Sequence, residues 1–189
     1  MSNILYINAC VRANSRTDIL AREVLKCLNG TVCEVNLEKE DIKPLNAAAL
    51  ERRKNLADEN DFSAADFKYA RQFADADLIV IAAPYWDLSF PALLKAYLEA
   101  VSVCDITFRY GELGVVQGLC NAKRLIYVTT AGGTIGEYNF GFDYVKTLAK
   151  MMYGIDEVTF FSAENLDIIG ADVDAIMENA REEIKARLN

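Results

Sequence analysis

Asp77–Ala83 reads DLIVIAA, a run that is almost wholly apolar. A strand with one solvated face alternates apolar and polar residues, whereas a strand covered on both faces does not. The stretch therefore predicts a central strand of a parallel sheet. Upstream, Asn3–Ala9 (NILYINA) reads as a second buried strand and Thr17–Leu28 (TDILAREVLKCL) as an amphipathic helix. Asn29-Gly30 closes that helix, glycine supplying the left-handed conformation a C-terminus takes. Thr31–Leu37 (TVCEVNL) alternates, which predicts a more exposed place in the sheet.

Residues 46–57 predict a polar helix with the character of an insertion, and Phe62–Ala74 predicts another helix. Downstream of the central strand, Pro91–Val103 reads as a helix with proline in its first turn. Lys123–Thr130 (KRLIYVTT) and Glu157–Ser162 (EVTFFS) are strands, and Phe140–Met152 and Val173–Leu188 are helices. Strands alternating with helices imply right-handed crossovers and an α/β fold. Five strands suit a flavodoxin-like three-layer sandwich: a five-stranded parallel sheet in the order 2-1-3-4-5 with helices on both faces. In that order the ligand crevice lies beyond the carboxyl ends of strands one and three.

The 189 residues suit one domain spanning 1–189, with no repeat, linker or low-complexity tract. With 20 basic and 28 acidic side chains the net charge is −8, which gives the chain no general attraction for nucleic acid or anionic lipid. Met1 runs directly into the apolar stretch Ile4–Ile7, with no basic region before it, and no apolar run is long enough to span a membrane. Cys10, Cys27, Cys33, Cys104 and Cys120 are scattered and never spaced as C-x-x-C. That pattern argues against a disulfide framework or a zinc site and predicts a reducing cytoplasm. The chain has no histidine, which excludes Ser-His-Asp and Cys-His chemistry and the commonest metal sites, so reactivity is expected to come from a cofactor.

Three loops at strand carboxyl ends carry the candidate residues. The first is Cys10-Val11-Arg12-Ala13-Asn14-Ser15-Arg16-Thr17, where two arginines and two hydroxyls meet a helix N-terminus. Such a set binds phosphate at the positive end of the helix dipole. The plainer reading is a capped helix, with Ser15 or Thr17 as cap and Asp18 complementing the dipole. Neither G-x-x-x-x-G-K-[ST] nor G-x-G-x-x-G occurs. The second loop, Ala83–Pro91 (APYWDLSFP), sets Tyr85 and the sole tryptophan, Trp86, between prolines. It forms a flat apolar platform of the kind a flavin ring needs; alternatively its aromatics plug the end of the sheet. The third, Thr129-Thr130-Ala131-Gly132-Gly133-Thr134, allows close backbone approach, and consecutive N–H groups can surround developing negative charge. A simple turn is its plainer reading.

At these loops the sequence resembles the FMN-dependent azoreductase and NAD(P)H quinone reductase family. The likeness runs from Ala83-Pro84-Tyr85-Trp86 through Leu93-Leu94-Lys95-Ala96-Tyr97 and Ile106-Thr107-Phe108-Arg109-Tyr110 to Thr130-Ala131-Gly132-Gly133. The resemblance implies a homodimer with non-covalent FMN near the subunit interface, NAD(P)H as donor, and a quinone or azo compound as acceptor in a ping-pong cycle. It places Ser15, Arg16 and Thr17 on the FMN phosphate, with Cys10 and Arg12 in the same loop. It sets Pro84, Tyr85, Trp86 and Asp87 along the ring and ribityl chain, and Thr130, Ala131, Gly132 and Gly133 at the pyrimidine edge. By the same resemblance Phe108 and Tyr110 are expected to shape the substrate space, from the partner subunit in a dimer, and Tyr85 or Tyr110 is the candidate to donate a proton or hydrogen bond to the acceptor. Members of the family commonly carry serine where Cys10 stands and asparagine where Asp87 stands. An anionic Asp87 beside a flavin disfavours charge on the reduced ring, and Cys10 is either a reactive thiolate or a buried inert thiol. Two other classes remain open: a flavodoxin-type electron carrier docking to basic partners, and a flavin-free binding domain. Against the carrier, flavodoxins show T-x-T-G-x-T where this chain has Asn14-Ser15-Arg16-Thr17.

Overall fold

The computed structural model describes residues 2–188. Five parallel strands, β1 (Ser2–Asn8), β2 (Gly30–Asn36), β3 (Leu78–Ala82), β6 (Arg124–Thr130) and β7 (Glu157–Ala163), form one sheet in the order β2-β1-β3-β6-β7. In main-sheet numbering this is the expected 2-1-3-4-5. The remaining strands, β4 (Phe108–Tyr110) and β5 (Val116–Gly118), pair antiparallel in a small hairpin that the apolar patterning did not reveal. Three-residue strands are too short to show a period.

Side-chain alternation divides the sheet between two cores. Odd positions of the inner strands (Leu5, Ile7, Ile79, Ile81, Leu125 and Tyr127) face α3 (Lys68–Asp75), α4 (Ala92–Val101) and α5 (Phe140–Leu148). Even positions such as Ile4, Tyr6, Val80, Ala82, Ile126 and Val128 face α1 (Arg16–Lys26) and α6 (Val173–Leu188). Ile79–Ala82 are buried on both faces, as the unbroken run DLIVIAA requires, while β2 lies at the sheet edge with most of its residues exposed. The polar helix α2 (Ala47–Asp58) buries none of its residues. It is fastened to the C-terminus of α4 by Arg53, which donates to the carbonyls of Glu99 and Ser102, both at 3.3 Å.

Two local expectations need correction. The expected helix Phe62–Ala74 is a short 3-10 turn, Ala65–Phe67, leading into α3. Gly30 does not cap α1 in the left-handed region; the C-cap is Cys27, and Gly30 opens β2 with an ordinary φ. Its lack of a side chain serves packing instead, since a Cβ there would collide with the Ser2 carbonyl. Among the described residues no helix is long and apolar enough to cross a membrane.

Candidate functional site

All the parallel strands end on the same side, so the loops after β1, β3, β6 and β7 form one rim. There they enclose a cleft of about 240 Å³ lined by Val11, Arg12, Asn14, Ser15, Arg16 and Thr17 from the first loop and by Pro84, Tyr85 and Trp86 from the second. Thr130, Ala131 and Gly132 come from the third loop and Asp167 from the fourth. Three stretches read separately in the sequence thus converge on one cavity. Asp167 was not anticipated; an acidic residue in the loop after the last strand was the available signal.

Ser15 decides between the two readings of the first loop. It is the N-cap of α1, yet its side chain makes no capping hydrogen bond. Its carbonyl accepts the first helical bond, from Ile19 N–H at 3.0 Å. Among the described residues the N–H groups of Arg16 and Thr17 have no acceptor, so the positive end of α1 opens into the cleft with its donors unspent. A side-chain cap at Ser15 would have taken the N–H of Thr17 or Asp18. Asp18, in the first turn, is instead turned back toward the sheet, accepting from Tyr6 (2.6 Å), Asn8 (3.1 Å) and Arg22 (3.1 Å). Burial first, and then Asp18, raise the Tyr6 hydroxyl far above its ordinary pKa, so it stays protonated and donates to Asp18. This network pins the start of α1 beneath the loop.

The threonines of two loops meet. Thr17 Oγ1 and Thr130 Oγ1 lie 2.6 Å apart, with Thr17 fully buried. The second loop is tied to the third by Tyr85 N–H donating to the Thr130 carbonyl at 3.1 Å. The carbonyls of Gly132 and Gly133 accept from Asp167 N–H (2.9 Å) and Asn165 N–H (3.2 Å) in the fourth loop. The N–H groups of Gly132 and Gly133 have no acceptor among the described residues, which leaves two adjacent donors beside the cleft, as stabilising a developing anion requires.

Other anticipated residues stand elsewhere. Cys10 is buried behind the cleft, its Sγ 3.9 Å from the Ala82 carbonyl, and burial pushes the thiol up to about 11. It is the inert thiol of the two alternatives. Asp87 and Gly133 adjoin the cleft without lining it. Trp86 and Ser89 exchange both backbone hydrogen bonds (3.0 and 2.8 Å) around Asp87 (φ 50°) and Leu88 (φ 65°). This is a tight two-residue turn with both central residues in the left-handed region, where asparagine and glycine are easiest to accommodate. The Tyr85 hydroxyl donates to the Tyr138 carbonyl at 2.8 Å, so its proton fastens the second loop to the third. Phe108 is buried and packs edge-on against Tyr110, with ring centroids 5.7 Å apart, while Tyr110 is exposed on the β4–β5 hairpin outside the cleft.

A doubly wound parallel sheet, with a helix N-terminus and an aromatic loop meeting at its switch point, is the architecture of an open α/β protein with a ligand crevice at that point. The flavodoxin-like fold family matches residues 2–188, and the chain belongs to it. The FMN-dependent NADH:quinone oxidoreductase 2 of Clostridium acetobutylicum is 37% identical, covering 98% of this chain and 97% of that protein. An FMN-dependent NADH:quinone oxidoreductase of Lachnoclostridium phytofermentans is 38% identical over 96% of each. Among solved structures, an azoreductase from Bacillus anthracis superposes with a TM-score of 0.84 at 24% identity, covering 100% of this chain and 99% of that one. An FMN-dependent NADH-azoreductase from the same species, in complex with FMN, gives 0.82 at 21% identity, covering 100% and 98%.

Proposed function

We propose that this chain is an FMN-dependent oxidoreductase that takes electrons from NADH and delivers them to a quinone or azo acceptor. The observation that carries this reading is the uncapped N-terminus of α1 at Ser15, opening into the same cleft as Trp86 and Gly132. One end of that cleft offers unspent N–H donors, a hydroxyl and a guanidinium to a phosphate; the other offers a flat aromatic wall and free backbone amides to a ring that gains negative charge. The residues present fit FMN. The family and the full-length relatives named for FMN, NADH and quinone support the same assignment.

Ser15, Arg16 and the N-terminal amides of α1 hold the phosphate in this scheme. Thr17 and Thr130, bonded to each other, form the floor under the phosphate and ribityl end, while Pro84, Tyr85 and Trp86 wall the ring. Bound FMN supplies hydride acceptance from the nicotinamide and two-electron delivery to the acceptor. The protein contributes position, exclusion of water from the ring's covered face, and donors at Gly132 and Gly133 where charge accumulates. No side-chain acid or base is needed, in keeping with the absence of histidine. Donor and acceptor would share the one cleft in turn, so ping-pong kinetics are expected.

We further place the enzyme in the cytoplasm as a homodimer. Tyr110, Leu113 and Val115 on the β4–β5 hairpin and Met151 beside it are exposed, an apolar surface that a second copy would cover. NADH is taken as the donor because it is the nucleotide in the relatives' names. One experiment tests the central claim: the purified chain should carry a flavin absorbance, release FMN on denaturation, and oxidise NADH with a quinone and no added reductase. A colourless protein that ignores added FMN refutes it, and FMN binding without turnover would make it a carrier instead. Parallel NADH and NADPH titrations check the donor.

A further inference from the structure

Arg16, the first residue of α1, is not a free cation. Its Nη1 donates to the Leu166 carbonyl at 3.0 Å and its Nη2 to Asp167 Oδ1 at 2.7 Å. Asp167 is itself held against the third loop, its N–H bonded to the Gly132 carbonyl at 2.9 Å. Its other carboxylate oxygen fills the space a side chain at Gly132 would occupy. The carboxylate therefore lines the cleft next to the helix N-terminus, on the guanidinium that a phosphate would use. The pair is partly solvated, the Arg16 side chain being 33% exposed and that of Asp167 66%. An exposed ion pair of this kind is weak and easily exchanged.

We propose that Asp167 is an internal competitor for the FMN phosphate. Resting on the flavin reading above, the inference is that this carboxylate occupies Arg16 when no flavin is bound. It then repels the phosphate when flavin arrives, lowering the site's preference for FMN over a flavin that lacks the phosphate. A dianionic phosphate outbids one carboxylate for a guanidinium because it brings more charge and more acceptor oxygens. The displaced Asp167 stays tethered through its backbone to Gly132, so the repulsion persists in the complex. A neutral ligand at the same ring position would not feel it.

The test is a fluorescence titration of flavin-stripped protein with FMN and with riboflavin, at low and high sodium chloride, for wild type, Asp167→Asn and Asp167→Ala. Because the Asp167 side chain is exposed, both variants are expected to fold, which circular dichroism checks. Both should bind FMN roughly 3–10-fold more tightly at low salt, with the gain shrinking as salt rises and riboflavin binding unchanged. Tighter binding of both flavins would place the effect on the ring, and weaker FMN binding would make Asp167 an orienting partner of Arg16; either overturns the inference. Wild type that binds FMN normally, with variants that match it, also overturns this inference while leaving the flavin reading intact. Wild type that takes up no FMN overturns both.

Discussion

Replacing Thr17 by valine removes one hydroxyl and preserves the shape of the side chain. In the folded protein that hydroxyl lies 2.6 Å from Thr130 Oγ1, in a position with no solvent exposure. The substitution removes a hydrogen bond with a net worth of about 1 kcal/mol and leaves the Thr130 hydroxyl poorly served, at a further cost of about 1 kcal/mol. A total near 2 kcal/mol corresponds to a fall in Tm of roughly 4–8 °C for a domain of this size. Thr130→Val should behave alike. The double variant, with both partners apolar, should be much less destabilised than the sum of its parents, because no orphaned hydroxyl remains. Urea denaturation of the four flavin-stripped proteins closes the cycle. Additive single effects would refute the bond across the two loops, and with it the shared floor of the cleft.

Further outcomes follow from the same geometry. Ser15→Ala should cost less than about 0.5 kcal/mol, against the ~1 kcal/mol of a true N-cap, while weakening FMN binding about tenfold, the worth of one hydrogen bond to a charged group; normal FMN affinity with a full cap penalty would return Ser15 to capping. Burial raises the Cys10 thiol from 9.0 to about 11, so the proton is held more tightly in the folded state. Its contribution is therefore intact below pH 9 and lost as pH rises toward 11. Between pH 8 and 10.5 wild type should lose about 2 kcal/mol more stability than Cys10→Ser, and parallel urea curves would contradict this. Leu88→Gly should raise Tm by about 1–3 °C, as relief of left-handed strain outweighs glycine's added entropy; a falling Tm would show that the Leu88 side chain is held by packing.

Much of the fold was legible because it is written in short-range patterns. DLIVIAA marks a strand covered on both faces, TVCEVNL a more exposed strand, and the recurrence of strand and helix leaves few topologies once crossovers must be right-handed. The loops of the site were legible for a related reason: in a parallel sheet the ligand side is fixed by chain direction, so the loops after the strands could be singled out beforehand. The β4–β5 hairpin escaped because three-residue strands carry no period. Gly30 was misassigned because the sequence shows that a glycine is present without showing whether it relieves a torsion or a collision.

The existence of the strands and helices, and the residue types gathered in the loops after Ala9, Ala82 and Thr130, were fixed by residues acting within a few positions of one another. Tertiary structure alone decided that Thr17 would bond Thr130, that Arg16 would meet Asp167 across 151 positions of sequence, and that Cys10 and Phe108 would be buried. Those pairings depend on the register of neighbouring strands and the depth to which each loop sinks. Both are set by packing of the whole sheet between its two helical layers, a long-range balance that no local pattern encodes.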